Sequence, residues 1–440
     1  MKADSPVNYC IKSRGALRGR IAVPGDKSIS HRALMLGAIA HGDTHISGFL
    51  QGEDTQATMS ALNAMGVKID RDKDEFIIHG VGLHGLIAPA EAINLGNSGT
   101  SARLLAGLLS GQDFDSRIVG DASLMKRPMR RVVEPLLQMN ADISCSNEGT
   151  LPLEIHGGRQ LQGIDYKLPV ASAQLKSCLL LAGLYANGRT CLHEPAPTRD
   201  HTERLLCHFG CEIEKINNTV CIQKSNGLSA QYVKVPADIS SAAFFMVGAT
   251  IAVNSDITLE KVGINPTRSA VIQILQQMGA NITLSNQQEF SGEPVADIRV
   301  KASPMHAVEI PVEYVPSAID EFPAIMIAAA CARGTTRLRG AAELRVKESD
   351  RIRALTAGLR AIGITVVEHE DGMEVTGGNI RGGSVNSFTD HRIAMAFIMA
   401  GLASEQPVIV RDCVNINTSF PGFIDLARLA GMDIMQVSGQ

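Results

Sequence analysis

The chain has 440 residues, 45% apolar and 20% charged, which is material for two or three hydrophobic cores and excludes disordered, collagenous and coiled-coil classes. With 41 Lys and Arg against 45 Asp and Glu, the formal charge is −4, so no global field draws nucleic acid or an anionic membrane and any anion site must be local. Nine cysteines without a CxxC pair argue against a disulfide scaffold or zinc ribbon and for a reducing compartment.

Taken in chain order, one pattern recurs six times: a polar capping residue, an Ala- and Leu-rich helix, then a second helix that ends on Gly or Asn before a β-forming run. Ser28 leads into HRALMLGAIA and the copy closes with LNAMGVKI (62–69). Thr100 leads into ARLLAGLLSG, closing with LLQMNADI (136–143), and Ser172 into AQLKSCLLLAGL, closing with LCHFGCEI (206–213). Ser240 leads into AAFFMVGATIAV, closing with LQQMGANI (275–282), and Ser317 precedes AIMIAAACA, closing with LRAIGITV (359–366). Thr389 leads into HRIAMAFIMAGLA, closing with ARLAGMDI (427–434). The closing residues Gly66, Asn140, Gly210, Gly279, Gly363 and Gly431 fall about 70 residues apart and suit the left-handed conformation that ends a helix.

The first helix of each copy is apolar around most of its circumference, which predicts a buried helix, while the second is amphipathic. The expectation is therefore an α/β fold of six repeated units of about 70 residues, helices inside and sheets outside, grouped as two lobes of three. The similar stretches VPGDKS (23–28) and VPADIS (235–240) flank three whole units. They place crossovers near 24–25 and 236–237, giving a discontinuous lobe of residues 1–24 and 237–440 and an inserted lobe of 25–236. The start MKADSPVNYC lacks a signal-like apolar core and no apolar run reaches the about 20 residues that span a bilayer, so the expected location is cytoplasmic.

Basic residues gather at the predicted helix starts: Lys27 and Arg32, Arg103, Arg127 in KRPMRR, Arg199 in TRDHTE, Lys347 and Arg351 in RVKESDR, and Arg392 in TDHR. One Arg at a helix start is ordinarily a solvated surface residue. Recurrence at equivalent points of several units points instead to a shared pocket, where helix N-termini add unpaired N–H groups and about half a positive charge each. Such a pocket calls for a ligand with two or more anionic groups, and its walls would close as the anions enter. Asp320 in SAIDEF and Glu348 beside Lys347 are the carboxylates in the same frame, suited to accepting and relaying protons.

Other chemistries recede. GDKS (25–28) lacks the full P-loop spacing, His201, Cys207, His208 and Cys211 match no zinc spacing, and GxSxG and HExxH are absent. No Trp, 5 Tyr and 12 Phe leave little surface for stacking single-stranded nucleic acid.

The segments GDKSISHRALMLGAIA (25–40), LGNSGTSARLL (95–105), GDASLMKRPM (120–129), ASAQLKS (171–177), TRDHTE (198–203), IDEFP (319–323), LRVKESDRI (344–352) and DHRIAMAF (390–397) resemble the 5-enolpyruvylshikimate-3-phosphate synthase family, from about Leu17 to Gly431. The resemblance implies a two-lobe inside-out α/β barrel-like fold. It also implies a transferase of chorismate and aromatic amino-acid biosynthesis that joins phosphoenolpyruvate to shikimate 3-phosphate by addition and elimination. No metal, no organic cofactor, no nucleic-acid or membrane partner and a monomeric state go with it.

By the same resemblance, Lys27, Ser28, Arg32, Ser172, Gln174, Arg199, Asp320 and Lys347 would hold shikimate 3-phosphate. Lys27, Gly99, Arg127, Gln174, Arg351 and Arg392 would hold phosphoenolpyruvate. Asp320 would take the 5-hydroxyl proton and Glu348 would protonate the methylene carbon, with Lys27 beside them in catalysis. Two departures from the family pattern stand out: Thr418 in NINTSFP where many members have Lys, and Ala173 where others have Ser. Both resemble a branch with glyphosate-insensitive members, whereas Gly99 is the small residue of sensitive ones. The rivals are a UDP-sugar enolpyruvyl transferase, whose loop Cys has no counterpart here, and a non-catalytic phosphate-binding scaffold, against which Asp320 and Glu348 argue.

Overall fold

The computed structural model describes residues 7–437. Six helices carry the Ala- and Leu-rich runs: Lys27–Ala38, Gly99–Leu109, Ala173–Gly183, Ile239–Ile251, Phe322–Ala330 and His391–Ala400. Nearly every residue after their first turns is buried, as helices apolar on all faces require. The residues that close the second helices all take positive φ: 88° at Gly66, 68° at Asn140, 89° at Gly210, 98° at Gly279, 88° at Gly363 and 115° at Gly431.

Three of the six buried helices start earlier than the Ser and Thr positions predict, and the sixth starts one residue later, with Asp390 rather than Thr389 as its cap. Asp26 accepts from the Ile29 amide, Ser98 from Ser101, Asp238 from Ser240 and Asp390 from Arg392. Ser28, Thr100 and Ser240 thus fall inside the first turn, because an aspartate or serine two residues upstream satisfies the orphan amides first and the carboxylates also suit the helix dipole. Ser172 is the cap expected. In the fifth copy, Ser317 lies in the short helix Val315–Ala318, and the buried helix begins after Glu321 with Pro323 in its first turn.

Six open sheets hold the described strands. Their plan is clear in the second copy, where Ile93–Asn94 runs parallel to Ser116–Val119, which runs antiparallel to Leu153–His156 and through it to Asp142–Ser144. The third copy repeats it with Asp165–Lys167, Arg189–His193, Thr219–Gln223 and Ile213–Ile216. Where a copy has no lead strand of its own, distant sequence supplies one. Leu228–Ser229 and Tyr232–Lys234 run beside Ala40–Ser47, and Arg18–Ile21 runs beside Asp256–Gly263. Asn8–Ile11 completes the last sheet between Val408–Arg411 and Ile434–Val437.

The chain divides into two compact units, one of Met1–Pro24, Pro236–Gln288 and Pro294–Gln440, the other of Gly25–Val235 with Glu289–Glu293. Each has its own hydrophobic core. Within the second, Gly107 lets two buried helices meet closely: a Cβ there would lie 2.0 Å from the Cys178 carbonyl oxygen. The same two helices also meet near their starts, where Gln174 bonds Arg103 and Thr100.

The cysteine count misses one pairing. Cys191 and Cys221 face each other across antiparallel strands, with Cα atoms 4.2 Å apart, and form a disulfide. Strand register makes this pair, and a separation of 30 residues along the chain does not announce it. The remaining seven cysteines are free. Among the described residues no helix is long and apolar enough to cross a membrane.

Candidate active site

Lys27 and Ser28 occupy the first turn of their helix, above the Asp26 cap. The Lys27 ammonium lies 2.9 Å from Asp54 Oδ2, a residue of the neighbouring helix Glu53–Ala64 that the sequence reading passed over. Arg32, one turn on, is buried and links three helices. Its Nη1 donates to the Ser28 carbonyl (2.8 Å), its Nε to Thr202 Oγ1 (2.6 Å) and its Nη2 to Ser177 Oγ (2.7 Å). Burial pulls its pKa down to about 10, against the attraction of Glu203, so it remains a cation at neutral pH.

Gly99 follows the Ser98 cap. A Cβ at this position would stand 3.0 Å from Arg103 Nη1 and 3.1 Å from Arg127 Nη1, so glycine lets both guanidinium groups flank the helix start. Arg127 Nη2 donates to Asn97 Oδ1, and Asn97 donates in turn to Asp121 (2.8 Å). Arg127 lies at the end of the short turn Leu124–Lys126, three residues ahead of the Arg130–Gln138 helix that it was expected to open. Pro128 keeps Arg127 extended, with φ −77° and ψ 142°. Arg103, which the resemblance does not assign to either substrate, donates to Gln174 Oε1 (2.7 Å), and Gln174 donates to Thr100 Oγ1 (3.0 Å). Ser172 caps the helix that carries Gln174. Half-buried Arg199 sits just ahead of the Asp200 cap of His201–His208.

The other unit carries a second cluster, centred on Arg351, whose side chain is only 1% exposed. Its Nε donates to Asp390 Oδ2 (2.9 Å), its Nη1 to Asp320 Oδ1 (3.2 Å) and its Nη2 to Glu348 Oε2 (2.5 Å). Burial alone would disfavour the Arg351 charge, but Asp390, Glu348 and Asp320 more than reverse this and hold its pKa above the ordinary arginine value. Burial likewise works against the Asp390 carboxylate, yet Arg351 keeps it ionised, below its usual pKa. The Asp390 carboxylate also accepts from Ser349 (3.0 Å) and from the Arg392 amide (2.9 Å).

Arg392 Nη1 donates to the Asp320 carbonyl (3.0 Å), and Lys347 Nζ stands 3.7 Å from Asp320 Oδ1. Burial lowers the Lys347 pKa against the pull of Asp320. Asp320 itself is placed by its neighbour Glu321, the cap of the following helix, which accepts from Ser240 deep in the core. Thr418 lies in the short helix Ile416–Ser419, its hydroxyl turned back to the Asn415 carbonyl (2.7 Å).

Cation counting at helix starts predicts a strongly positive pocket. Around Arg351, however, Lys347, Arg351 and Arg392 meet Asp320, Glu348 and Asp390, three cations against three carboxylates. The cluster pairs its carboxylates with cations rather than presenting bare positive charge. Among the described residues no group of three His, Cys, Asp or Glu is arranged to hold a metal ion. His201, in the stretch whose spacing fits no zinc site, pairs with Glu293 at 2.7 Å.

Residues 11–426 match the family model of EPSP synthase (3-phosphoshikimate 1-carboxyvinyltransferase). The chain is 57% identical over 432 residues to 3-phosphoshikimate 1-carboxyvinyltransferase of Methylococcus capsulatus, covering 98% of this chain and 99% of that one. It is 58% identical over 427 residues to the protein of the same name from Nitrosococcus oceani, covering 97% and 96%. A solved EPSP synthase from Acinetobacter baumannii superposes with a TM-score of 0.88 at 52% identity, over 98% of this chain and 100% of that one.

Proposed function

The chain belongs to the EPSP synthase family, and we propose on that premise that it transfers the enolpyruvyl group of phosphoenolpyruvate to the 5-hydroxyl of shikimate 3-phosphate and releases inorganic phosphate. The observation that carries the reading is the Arg351 cluster, in which one buried guanidinium holds Asp320 and Glu348 at 3.2 and 2.5 Å. Two carboxylates on one rigid fork are a fixed pair for moving two protons at neighbouring reaction centres.

In the first half of the reaction Asp320 takes the proton of the 5-hydroxyl. The 5-oxygen attacks C2 of phosphoenolpyruvate while Glu348 delivers a proton to the methylene carbon, giving a tetrahedral intermediate with a methyl group. In the second half the C2–O bond to phosphate breaks, the proton held by Asp320 goes to the departing phosphate and Glu348 takes back a methyl proton, restoring the double bond and both carboxyl groups. Cations that hold two mutually repelling anions side by side supply much of the barrier reduction, through orientation and charge stabilisation.

Shikimate 3-phosphate is assigned to Lys27, Ser28, Arg32, Ser172, Gln174, Arg199, Asp320 and Lys347. Phosphoenolpyruvate is assigned to Lys27, Gly99, Arg127, Gln174, Arg351 and Arg392. The two compact units are read as the two lobes of the fold, with crossovers near 24–25 and 236–237, and the enzyme as a cytoplasmic monomer that needs no cofactor. The test is phosphate release by the purified chain with phosphoenolpyruvate and either shikimate 3-phosphate or UDP-N-acetylglucosamine. Release with the first acceptor alone is expected. Release with the sugar alone would replace this reading with the UDP-sugar reaction, and release with neither would favour a binding scaffold.

A further inference from the structure

Behind the residues assigned to shikimate 3-phosphate lies a buried charge cluster that the reaction itself does not use. Lys176, on the helix Ala173–Gly183, has a side chain 1% exposed, and its ammonium lies 2.9 Å from Glu194 Oε2 and 2.7 Å from Glu203 Oε1. The third donor direction reaches the Thr198 carbonyl at 3.4 Å. Burial pushes the Lys176 ammonium toward its neutral form, but Glu203 and Glu194 more than reverse this and its pKa lies above the ordinary lysine value. A buried ion triad of this kind is seldom better for stability than apolar residues of the same size, so its placement asks for another reason.

The geometry supplies one. Glu194 Oε1 accepts from both the amide (3.1 Å) and the hydroxyl of Thr198, while Lys176 takes that residue's carbonyl. Every polar group of Thr198 is therefore held by the cluster, immediately ahead of Arg199. On the other side, Glu203 follows Thr202, which accepts from Arg32 Nε and donates to Ser177 Oγ (2.7 Å). The consecutive pairs Lys176 with Glu203 and Ser177 with Thr202 thus join Ala173–Gly183 to His201–His208. The triad also carries one more carboxylate than cation, and Glu203 is the main opposing charge acting on desolvated Arg32, which Arg199 repels.

We propose that Lys176, bracketed by Glu194 and Glu203, is a positioning residue for the shikimate 3-phosphate subsite, fixing Thr198 so that Arg199 keeps its place and Glu203 so that Arg32 keeps its place and charge. The inference rests on the substrate reading above. It is tested by steady-state kinetics of the full chain carrying Lys176→Met or Thr198→Val, with each substrate varied in turn. A KM for shikimate 3-phosphate raised about tenfold by Lys176→Met and about threefold by Thr198→Val, with the KM for phosphoenolpyruvate changed less than about twofold, is the expected outcome.

A purely structural role would lower the yield of active enzyme and kcat while leaving both KM values in place, and that result overturns the proposal. Lys176→Met leaves two buried carboxylates without their cation, so a failure to fold is a real outcome for that variant. Thr198→Val, which removes one hydroxyl and no charge, then decides the question. Absence of turnover in the unsubstituted chain would instead overturn the substrate reading, and this inference with it.

Discussion

The ammonium of Lys27 is held 2.9 Å from the carboxylate of Asp54, an ion pair with both side chains mostly buried. The pairing points a long flexible side chain from one helix start using the neighbouring helix. Asp54→Ala releases that anchor without disturbing the Asp26 cap. Orientation lost by a partly buried pair is worth about 1 kcal/mol, so the KM for both substrates is expected to rise about threefold to fivefold. Initial rates with each substrate varied decide it: a fall in both values would mean that Asp54 competes with the substrate anions for Lys27.

Gly99→Ala tests the phosphoenolpyruvate side. The added Cβ meets Arg103 Nη1 at 3.0 Å and Arg127 Nη1 at 3.1 Å, so these flexible ends must move by a few tenths of an ångström. Backbone conformation is no obstacle, because Gly99 is not among the positive-φ glycines. The expected result is a folded protein whose KM for phosphoenolpyruvate rises about tenfold while that for shikimate 3-phosphate stays within about twofold. Equal rises in both values would show that the guanidinium groups displaced by the methyl serve both ligands.

These residues also mark how far a sequence can be read. The repeat and its buried helices are legible because Ala- and Leu-rich runs and a Gly or Asn cap are local signals, and all six caps do take positive φ. Helix starts are less so: GDKS and PADIS each offer a carboxylate and a hydroxyl within two residues, and only backbone geometry selects Asp26 and Asp238. Lys27 and Arg351 stand out by their motifs, but their partners Asp54 and Asp390 come from other segments and look like ordinary helix-start acids in the sequence. The same holds for Cys191 and Cys221, brought opposite each other only by strand register. Lead strands donated from Arg18–Ile21 and Tyr232–Lys234 are likewise decided by tertiary pairing.

Stability should fall on mild acidification because of His31. Its ring is fully buried, with Nδ1 2.8 Å from the Thr58 hydroxyl in a chain that continues to Ser101 and Ser98. Burial pulls its pKa down from 6.5 to about 3. Between these values the unfolded chain binds a proton that the folded chain refuses, so the imidazole's contribution is intact above pH 6.5 and is lost as pH falls toward 3. The slope approaches about 1.4 kcal/mol per pH unit well below the unfolded pKa. Denaturant unfolding of the parent and of His31→Asn from pH 7 to pH 4 should show a shallower acid slope in the variant. Parallel slopes would assign the acid sensitivity to other groups.

The sharpest expectation concerns the carboxylates on Arg351. Glu348→Gln keeps an oxygen for Arg351 Nη2 but has no proton to deliver, and Asp320→Ala removes the base while Glu348 and Asp390 still satisfy the guanidinium. Neither change leaves Arg351 as a buried unpaired charge, so both variants should fold. Loss of a positioned proton carrier typically costs about 10²- to 10⁴-fold in rate. We therefore expect kcat to fall by that order in each variant, while calorimetric binding of shikimate 3-phosphate weakens by no more than about fivefold. The bound is looser for Asp320→Ala, because Asp320 is itself a proposed ligand and its loss leaves Lys347 without a partner 3.7 Å away. If Glu348→Gln retained near-parent turnover, the methylene proton would have to come from another group, and the pairing of Glu348 with Arg351 would be structural alone.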